Sequence, residues 1–140
     1  VLAPRVGIDT SVSSPQSRDI DVLDAALASG AVHYPGSGFL TDDSNVFIFG
    51  HSSYLPIVKN KAYQVFNNIG DLVVGDDVFV DSERVRYTYR VSSVRKATAD
   101  EALVVFEHGE RKLTLSTCDS FGSKASRFVV EADFIDTRPL

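Results

Sequence analysis

Cysteine is almost missing from this chain of 140 residues: Cys118 is the only one. A single cysteine excludes an internal disulfide and is too few for a thiolate metal cluster, which leaves a packing residue or a reactive thiol. Positive charge is also scarce. Fourteen Lys and Arg against nineteen Asp and Glu leave a net charge of −5, the wrong sign for a phosphate-binding surface, so nucleic acid is not an expected partner. No apolar run approaches the roughly 18 residues that a membrane span needs, and no signal peptide is visible. The chain is then either cytosolic or a soluble piece trimmed of its targeting segment, and a first residue of Val1 rather than Met favours trimming. Repeats, linkers and low-complexity tracts are absent too, so a single domain over residues 1–140 is expected.

What is present suits one globular core. The composition is 44% apolar and 24% charged, and a chain of this length buries about 68% of its unfolded surface without disulfide staples. Most of the apolar residues recur at strand spacing. Arg5 to Asp9 alternates polar and apolar and reads as a first strand, followed by a Ser/Pro/Gln loop over Ser11 to Ser17. Asp19 or Asp21 can cap a short helix with Ile20, Leu23 and Leu27 on one face, closed by Gly30. His33 to Gly38 reads as a turn from its Pro and Gly content, and Asn45 to Gly50 is an apolar strand that ends at His51. Lys59 to Asn68 is expected as a second short helix. Val78 to Val80 and Val85 to Val94 are strands joined at Asp81 to Arg84, the second with Val85, Tyr87, Tyr89 and Val91 on one face. Thr98 to Glu101 has capping-box spacing while Ala102 to Phe106 is rich in β-formers, so both assignments stay open there. Arg111 to Cys118 and Arg127 to Phe134 close the chain as strands. So many strands with short helices between them argue for a β-barrel.

The last two strands carry the chemistry. A period of two puts Leu113, Leu115 and Thr117 on one face, and Lys112, Thr114, Ser116 and Cys118 on the other, a polar face expected to point outward. In the next strand Phe128, Val130 and Ala132 read as core, so Arg127, Val129 and Glu131 share the side of Cys118. If residues 119–126 form the connection, antiparallel pairing sets Cys118 opposite Arg127, and directly opposed Cβ atoms lie about 4.5–5.5 Å apart. A nucleophilic thiol needs a base or cation to raise its thiolate fraction. Arg127, and His51 at the end of its own strand, are placed to supply both.

Each of these residues also has a plainer reading. A free cysteine is most often a small buried hydrophobe, a histidine after a strand is usually a loop residue, and an arginine opening a strand is usually a solvated charge. His33 and His108 keep that plainer reading. A zinc site built from the three histidines and Cys118 lacks the close ligand spacing such sites show, so no metal is expected.

Several motifs in order over nearly the whole chain weigh against the plainer readings. Gly30-Ala31-Val32-His33-Tyr34-Pro35-Gly36-Ser37, Asn45-Val46-Phe47-Ile48-Phe49-Gly50-His51, the Gly75-Asp76 before Val78 to Val80, Tyr87-Thr88-Tyr89-Arg90-Val91, Leu113-Thr114-Leu115-Ser116-Thr117-Cys118 and Arg127-Phe128-Val129-Val130 stand in sequence. From Arg5 to about Asp136 the chain resembles the sortases, the cysteine transpeptidases of bacterial cell surfaces. It departs from their pattern in lacking a Pro-Gly pair between Ser37 and Asn45. It also lacks the Asp-Pro-Phe or Asp-Pro-Trp lid element of many pilus-building members, which points away from a lidded pilin polymerase.

The resemblance implies an all-β fold, a closed sortase-like β-barrel of about eight strands with short connecting helices. It implies a cysteine transpeptidase that cleaves a Leu-Pro-x-Thr-Gly-like sorting signal through a thioester and passes the acyl group to an amine. Cys118 is the implied nucleophile, His51 the acid and base, and Arg127 the donor to the substrate backbone or oxyanion. Thr117 is an expected substrate contact, and Val104 and Val105, within Ala102 to Phe106, an expected pocket wall. No cofactor is implied. The implied partners are surface proteins bearing sorting signals and an amine acceptor such as a cell-wall precursor or a pilin lysine. The implied location is extracytoplasmic, at the bacterial cell surface, through a membrane anchor outside this chain. Two other readings of the same residues remain: a non-catalytic surface barrel that binds peptides, and a cysteine hydrolase with water as acceptor.

Overall fold

The computed structural model describes residues 1–17, 19–34, 37, 40, 45–52, 66, 68–82, 84–97, 111–119 and 127–140. Its strands are β1 (Leu2–Ala3), β2 (Ile8–Asp9), β3 (Val12–Ser13), β4 (Ala31–His33), β5 (Asn45–Ser52), β6 (Asp77–Ser82), β7 (Val85–Ala97), β8 (Lys112–Asp119) and β9 (Arg127–Pro139), with one helix, α1 (Ile20–Leu27). They form a single nine-stranded sheet in the order β2-β1-β6-β7-β9-β8-β5-β4-β3. All-β architecture is as expected; the closed barrel is not. The two outer strands, β2 and β3, are not paired to each other, yet only Thr10 and Ser11 separate them in the chain. Two residues span at most about 7 Å, so the sheet must curl until its edges nearly meet. Both edge strands are only two residues long, too short to zip the seam into a ladder. The bond from the Ala31 amide to the Ser11 carbonyl, 3.0 Å, holds one flank of it. Gly30 beside that bond adopts φ +149°, and a Cβ there would sit 2.9 Å from the Ser11 carbonyl oxygen.

Two β-bulges give the long strands their curvature. Along β7 and β9 the register slips once between Thr88 and Tyr89 and again between Val91 and Ser93. The first slip skips Ile135 on β9, the second skips Ser92 on β7, and the second restores the register that the first displaced. The Ser92 hydroxyl, out of the ladder, donates to the Glu131 carbonyl at 3.1 Å. The inward set Val85, Tyr87, Tyr89 and Val91 therefore continues at Val94 rather than Ser93.

One core fills the interior of the curl, built from Val46, Ile48, Val78, Tyr89, Val91, Leu113, Leu115 and Val130 with their neighbours. A second, smaller core lies on the outer face, where Leu27 of α1 buries against Val32, Phe47 and Phe49. Asp19 starts that helix, accepting the Asp21 amide at 3.0 Å, as its sequence signal indicates. Tyr34, Phe47 and Phe49 meet with ring centroids 5.9 to 6.2 Å apart. This second core explains why β5 reads as an almost unbroken apolar run: it is buried on both faces, as a strand with a parallel neighbour usually is.

The same cover overturns the expectation of an outward polar face on β8. Thr114 and Ser116 are 0% and 1% exposed, and Val129 beside them is 0%. Their hydroxyls are satisfied inside the protein instead: Thr114 Oγ1 donates to Asn45 Oδ1 of β5 at 2.8 Å. Two further corrections concern short segments. Arg5 to Asp9 is not one strand, because Pro4 to Val6 form a 3₁₀ turn closed by Gly7 at φ 74° and only Ile8 and Asp9 pair. Pro4 has no amide to give a ladder, and its fixed φ suits the start of the turn. His33 is not in the turn: it ends β4 and is buried. The expected helix over Lys59 to Asn68 lies outside the described residues except for Phe66 and Asn68, and the open segment Thr98 to Phe106 lies wholly outside them.

Two measurements test this packing. Thr114→Val keeps the volume but leaves the buried Asn45 oxygen without that donor, and should lower stability by about 1–3 kcal/mol in denaturant titrations. Burial pushes the Tyr89 hydroxyl up from 10.0 to about 12. The unfolded tyrosine releases its proton at the lower pH, so stability should hold below pH 10 and fall as pH rises toward 12. Denaturant titrations at stepped pH should show that fall, and stability unchanged between pH 10 and pH 12 would contradict the burial.

Candidate active site

The strands bring the three sequence candidates to one end of the sheet. β5 and β8 run parallel in unbroken register from Asn45 opposite Lys112 through His51 opposite Cys118 to Ser52 opposite Asp119. The histidine and the cysteine, far apart in sequence, are therefore neighbours along the hydrogen-bonding direction, where adjacent strands lie about 4.8 Å apart. Their nearness follows from a sequence property of both strands: each is an apolar or hydroxyl-rich run with no Pro, able to pair on both sides.

Arg127 arrives from the other flank of β8. β8 and β9 are antiparallel, with Lys112 opposite Asp133 and pairing that continues to Ser116 opposite Val129. Two more steps in that register set Cys118 level with Arg127, the alignment that strand parity predicts. Arg127 is also paired with Ala97 at the end of β7. The C-terminal ends of β5, β7 and β8 and the N-terminal end of β9 thus converge, and His51, Cys118 and Arg127 occupy three adjacent strands in the order β5, β8, β9.

The ladder between β8 and β9 stops two steps short of this level. At the next position the Phe128 amide donates to the side chain of Thr117, 3.1 Å to Oγ1. Thr117, expected to touch substrate, is only 5% exposed, and its hydroxyl is engaged with β9. Sequence reading gave Phe128 only as a core residue of its strand and did not single out Gly70. Gly70 lies in a 3₁₀ turn over Ile69–Asp71, and a Cβ there would come within 2.7 to 2.9 Å of the Phe128 ring. A glycine between Ile69 and Asp71 carries no local signal for a packing constraint set by a residue so distant in sequence. Val104 and Val105, the expected pocket wall, lie outside the described residues, as does His108.

A cavity of about 360 Å³ lies elsewhere, at the opposite strand ends, lined by Val12, His33, Leu40, Ile48, Val80 and Tyr87 among others. It touches the first half of β5 and the start of β7, away from His51 and Ala97, so it is not where the sequence candidates meet. Among the described residues no group of three or more His, Cys, Asp or Glu is arranged to hold a metal ion.

Known proteins carry the same arrangement of strands. The sequence model of the Sortase domain matches residues 1–135. Sortase A of Bacillus anthracis is 34% identical over 94 residues, covering 67% of this chain and 42% of that protein; the chain thus aligns with less than half the length of this relative. Among solved structures, Listeria monocytogenes sortase A superposes with a TM-score of 0.77 at 21% identity, covering 99% of this chain and 86% of that one. Sortase E1 of Streptomyces coelicolor, solved with a tripeptide in its active site, gives 0.71 at 20% identity, covering 99% and 87%. Sortase C-3 of Streptococcus pneumoniae gives 0.75 at 18% identity, covering 98% and 62%. The structural likenesses establish a shared fold, and the match over almost every residue establishes the lineage: this chain belongs to the sortase family.

Proposed function

We propose that this domain is a cysteine transpeptidase that cuts a Leu-Pro-x-Thr-Gly-like sorting signal and joins the threonine carbonyl to an amine. The observation that carries this is the pairing of His51 with Cys118 along β5 and β8, with Arg127 at the start of the strand on the far side of Cys118. A thiol, an imidazole and a guanidinium on three adjacent strand ends form a set able to attack a carbonyl, move a proton and stabilise an oxyanion.

The chemistry balances with these groups alone. The Cys118 thiolate attacks the threonine carbonyl carbon, and the resulting oxyanion accepts hydrogen bonds from the Arg127 guanidinium, which stays charged at any working pH. As the C–N bond to glycine breaks, the His51 imidazolium gives its proton to the departing amine, leaving a thioester and a neutral imidazole. An incoming amine then attacks the thioester, His51 takes the amine proton, and the thiolate leaves with a new amide formed. The substrates are surface proteins that bear a sorting signal, and the acceptor is an amine such as a cell-wall precursor or a pilin lysine. Such substrates place the domain outside the cytoplasm at the bacterial surface, on an anchor supplied from outside these residues; no helix among the described residues is long and apolar enough to cross a membrane.

Incubation with a library of sorting-signal peptides and an amine acceptor, read by mass spectrometry, tests the reading. The expected products are a thioester on Cys118 and a ligated peptide. Cleavage with water alone, even at high acceptor concentration, would favour a hydrolase, and slow alkylation of Cys118 at neutral pH with no cleavage would favour a peptide-binding barrel. Cys118→Ala should abolish both thioester and product with the fold unchanged by circular dichroism. Arg127→Lys keeps the charge but loses the planar fork, and should lower the rate about 10²- to 10³-fold, the usual scale for one oxyanion donor. The pH profile should be bell-shaped and indifferent to chelators; loss of activity on chelation with recovery on adding zinc would point to a metal role for His51 instead.

A further inference from the structure

The start of β9 is held in an unusual way. Backbone pairing with β8 ends at Ser116 and Val129, so on that side residues 127 and 128 lack the ladder that fixes the rest of the strand. A side chain takes its place: Thr117 Oγ1 accepts the Phe128 amide at 3.1 Å. The Phe128 ring is confined as well. The 3₁₀ turn over Ile69–Asp71 presses its backbone onto the ring so closely that a Cβ on Gly70 would lie 2.7 Å from Cε1 and 2.8 Å from Cζ. That turn has little freedom to retreat, because Ile69 and Leu72 on either side of Gly70 are buried in the main core. Lys96 lies over the ring, its Nζ 5.4 Å from the centroid, and is the cross-strand partner of Phe128 on β7. Gly70 is not among the glycines with positive φ, so its backbone does not demand glycine. What the position demands is the space of a missing side chain.

We infer that Gly70, Thr117 and Phe128 are positioning residues that seat the first residue of β9, Arg127, level with Cys118. Thr117 fixes the backbone one residue from Arg127, and the missing side chain of Gly70 leaves room for the Phe128 ring that this backbone carries. The seat has a mechanical reason to exist. An oxyanion donor must be held within a fraction of an ångström, and a displacement of about 1 Å can cost on the order of 10² in rate, yet Arg127 is laddered on its β7 side alone, past the last pair with β8. The inference rests on the role proposed above for Arg127 and adds the residues through which that role is set.

Transpeptidation kinetics of point and double variants test it. Thr117→Val, which keeps the shape and removes the acceptor, should lower kcat on the order of 10-fold or more with KM little changed, while Thr117→Ser, which keeps the hydroxyl, should stay within about 2-fold of the parent. Gly70→Ala should also lower kcat, and Phe128→Leu, whose shorter side chain clears the added methyl, should cancel most of that loss when combined with it. The deciding measurement is non-additivity: in an Arg127→Lys background, Thr117→Val and Gly70→Ala should each cost less than about 2-fold, because the group they position is already impaired. Equal fold-losses in both backgrounds would overturn the inference and leave a structural role. If Gly70→Ala fails to fold, the Thr117→Val and Thr117→Ser pair in both backgrounds still decides. Should Arg127→Lys itself keep parental activity, the role of Arg127 fails first. Losses from Thr117→Val on top of an impaired Arg127→Lys would instead defeat the seat alone.

Discussion

The parallel pairing of β5 with β8 is the contact on which the rest of the structure depends. It joins the two halves of the sheet, with β4 and β3 continuing from β5 on one side and β9, β7, β6, β1 and β2 continuing from β8 on the other. Asn45 to Gly50 and Leu113 to Thr117 are buried on both faces, by the interior core and by the aromatic cluster under α1. The hydrogen bond between Thr114 and Asn45 crosses this pair inside that second layer. A polar bond of this kind adds little net stability, yet it penalises other registers, because a slip of one residue would leave both groups buried without partners. The same alignment carries His51 to Cys118.

Much of this was legible along the chain. Strand existence, a helix capped at Asp19 or Asp21, the inward set on β7 and the antiparallel register of β8 with β9 all follow from a period of two, a cap residue and turn composition. Local signals of this sort survive because each depends on neighbours in sequence. What could not be read depends on neighbours in space. The period of β8 separates two faces correctly, but hydroxyls at Thr114 and Ser116 look the same whether they meet water or a buried partner, so the second core went unseen. The parallel partnership of β5 and β8 leaves no mark on either strand beyond its apolar length. The bulges at Ser92 and Ile135 shift the alternation by one residue each, and nothing short of the partner strand shows where.

Membership of the sortase family fits these physical features without replacing them. The overall fold is shared at sequence identities near 20% with solved sortases, so it tolerates wide substitution. Such tolerance is expected where volume and pattern, rather than particular side chains, fill the interior. The tighter constraints in this chain are local: a glycine with no room for a methyl at Gly70, a threonine standing in for a ladder bond at Thr117, and a seam held beside Gly30.

The parallel joint also sets a timetable. An antiparallel hairpin can form as soon as its turn is made, whereas β5 and β8 cannot meet until the long intervening stretch, β6 and β7 included, has been made and has looped back. Non-local pairings of this sort are late and slow because chain entropy is spent before contacts repay it. His51 is made well before Cys118, and the two come within reach of each other only when the centre of the sheet closes. Their approach therefore coincides with completion of the fold, and whatever the two residues do together is available only to a finished molecule.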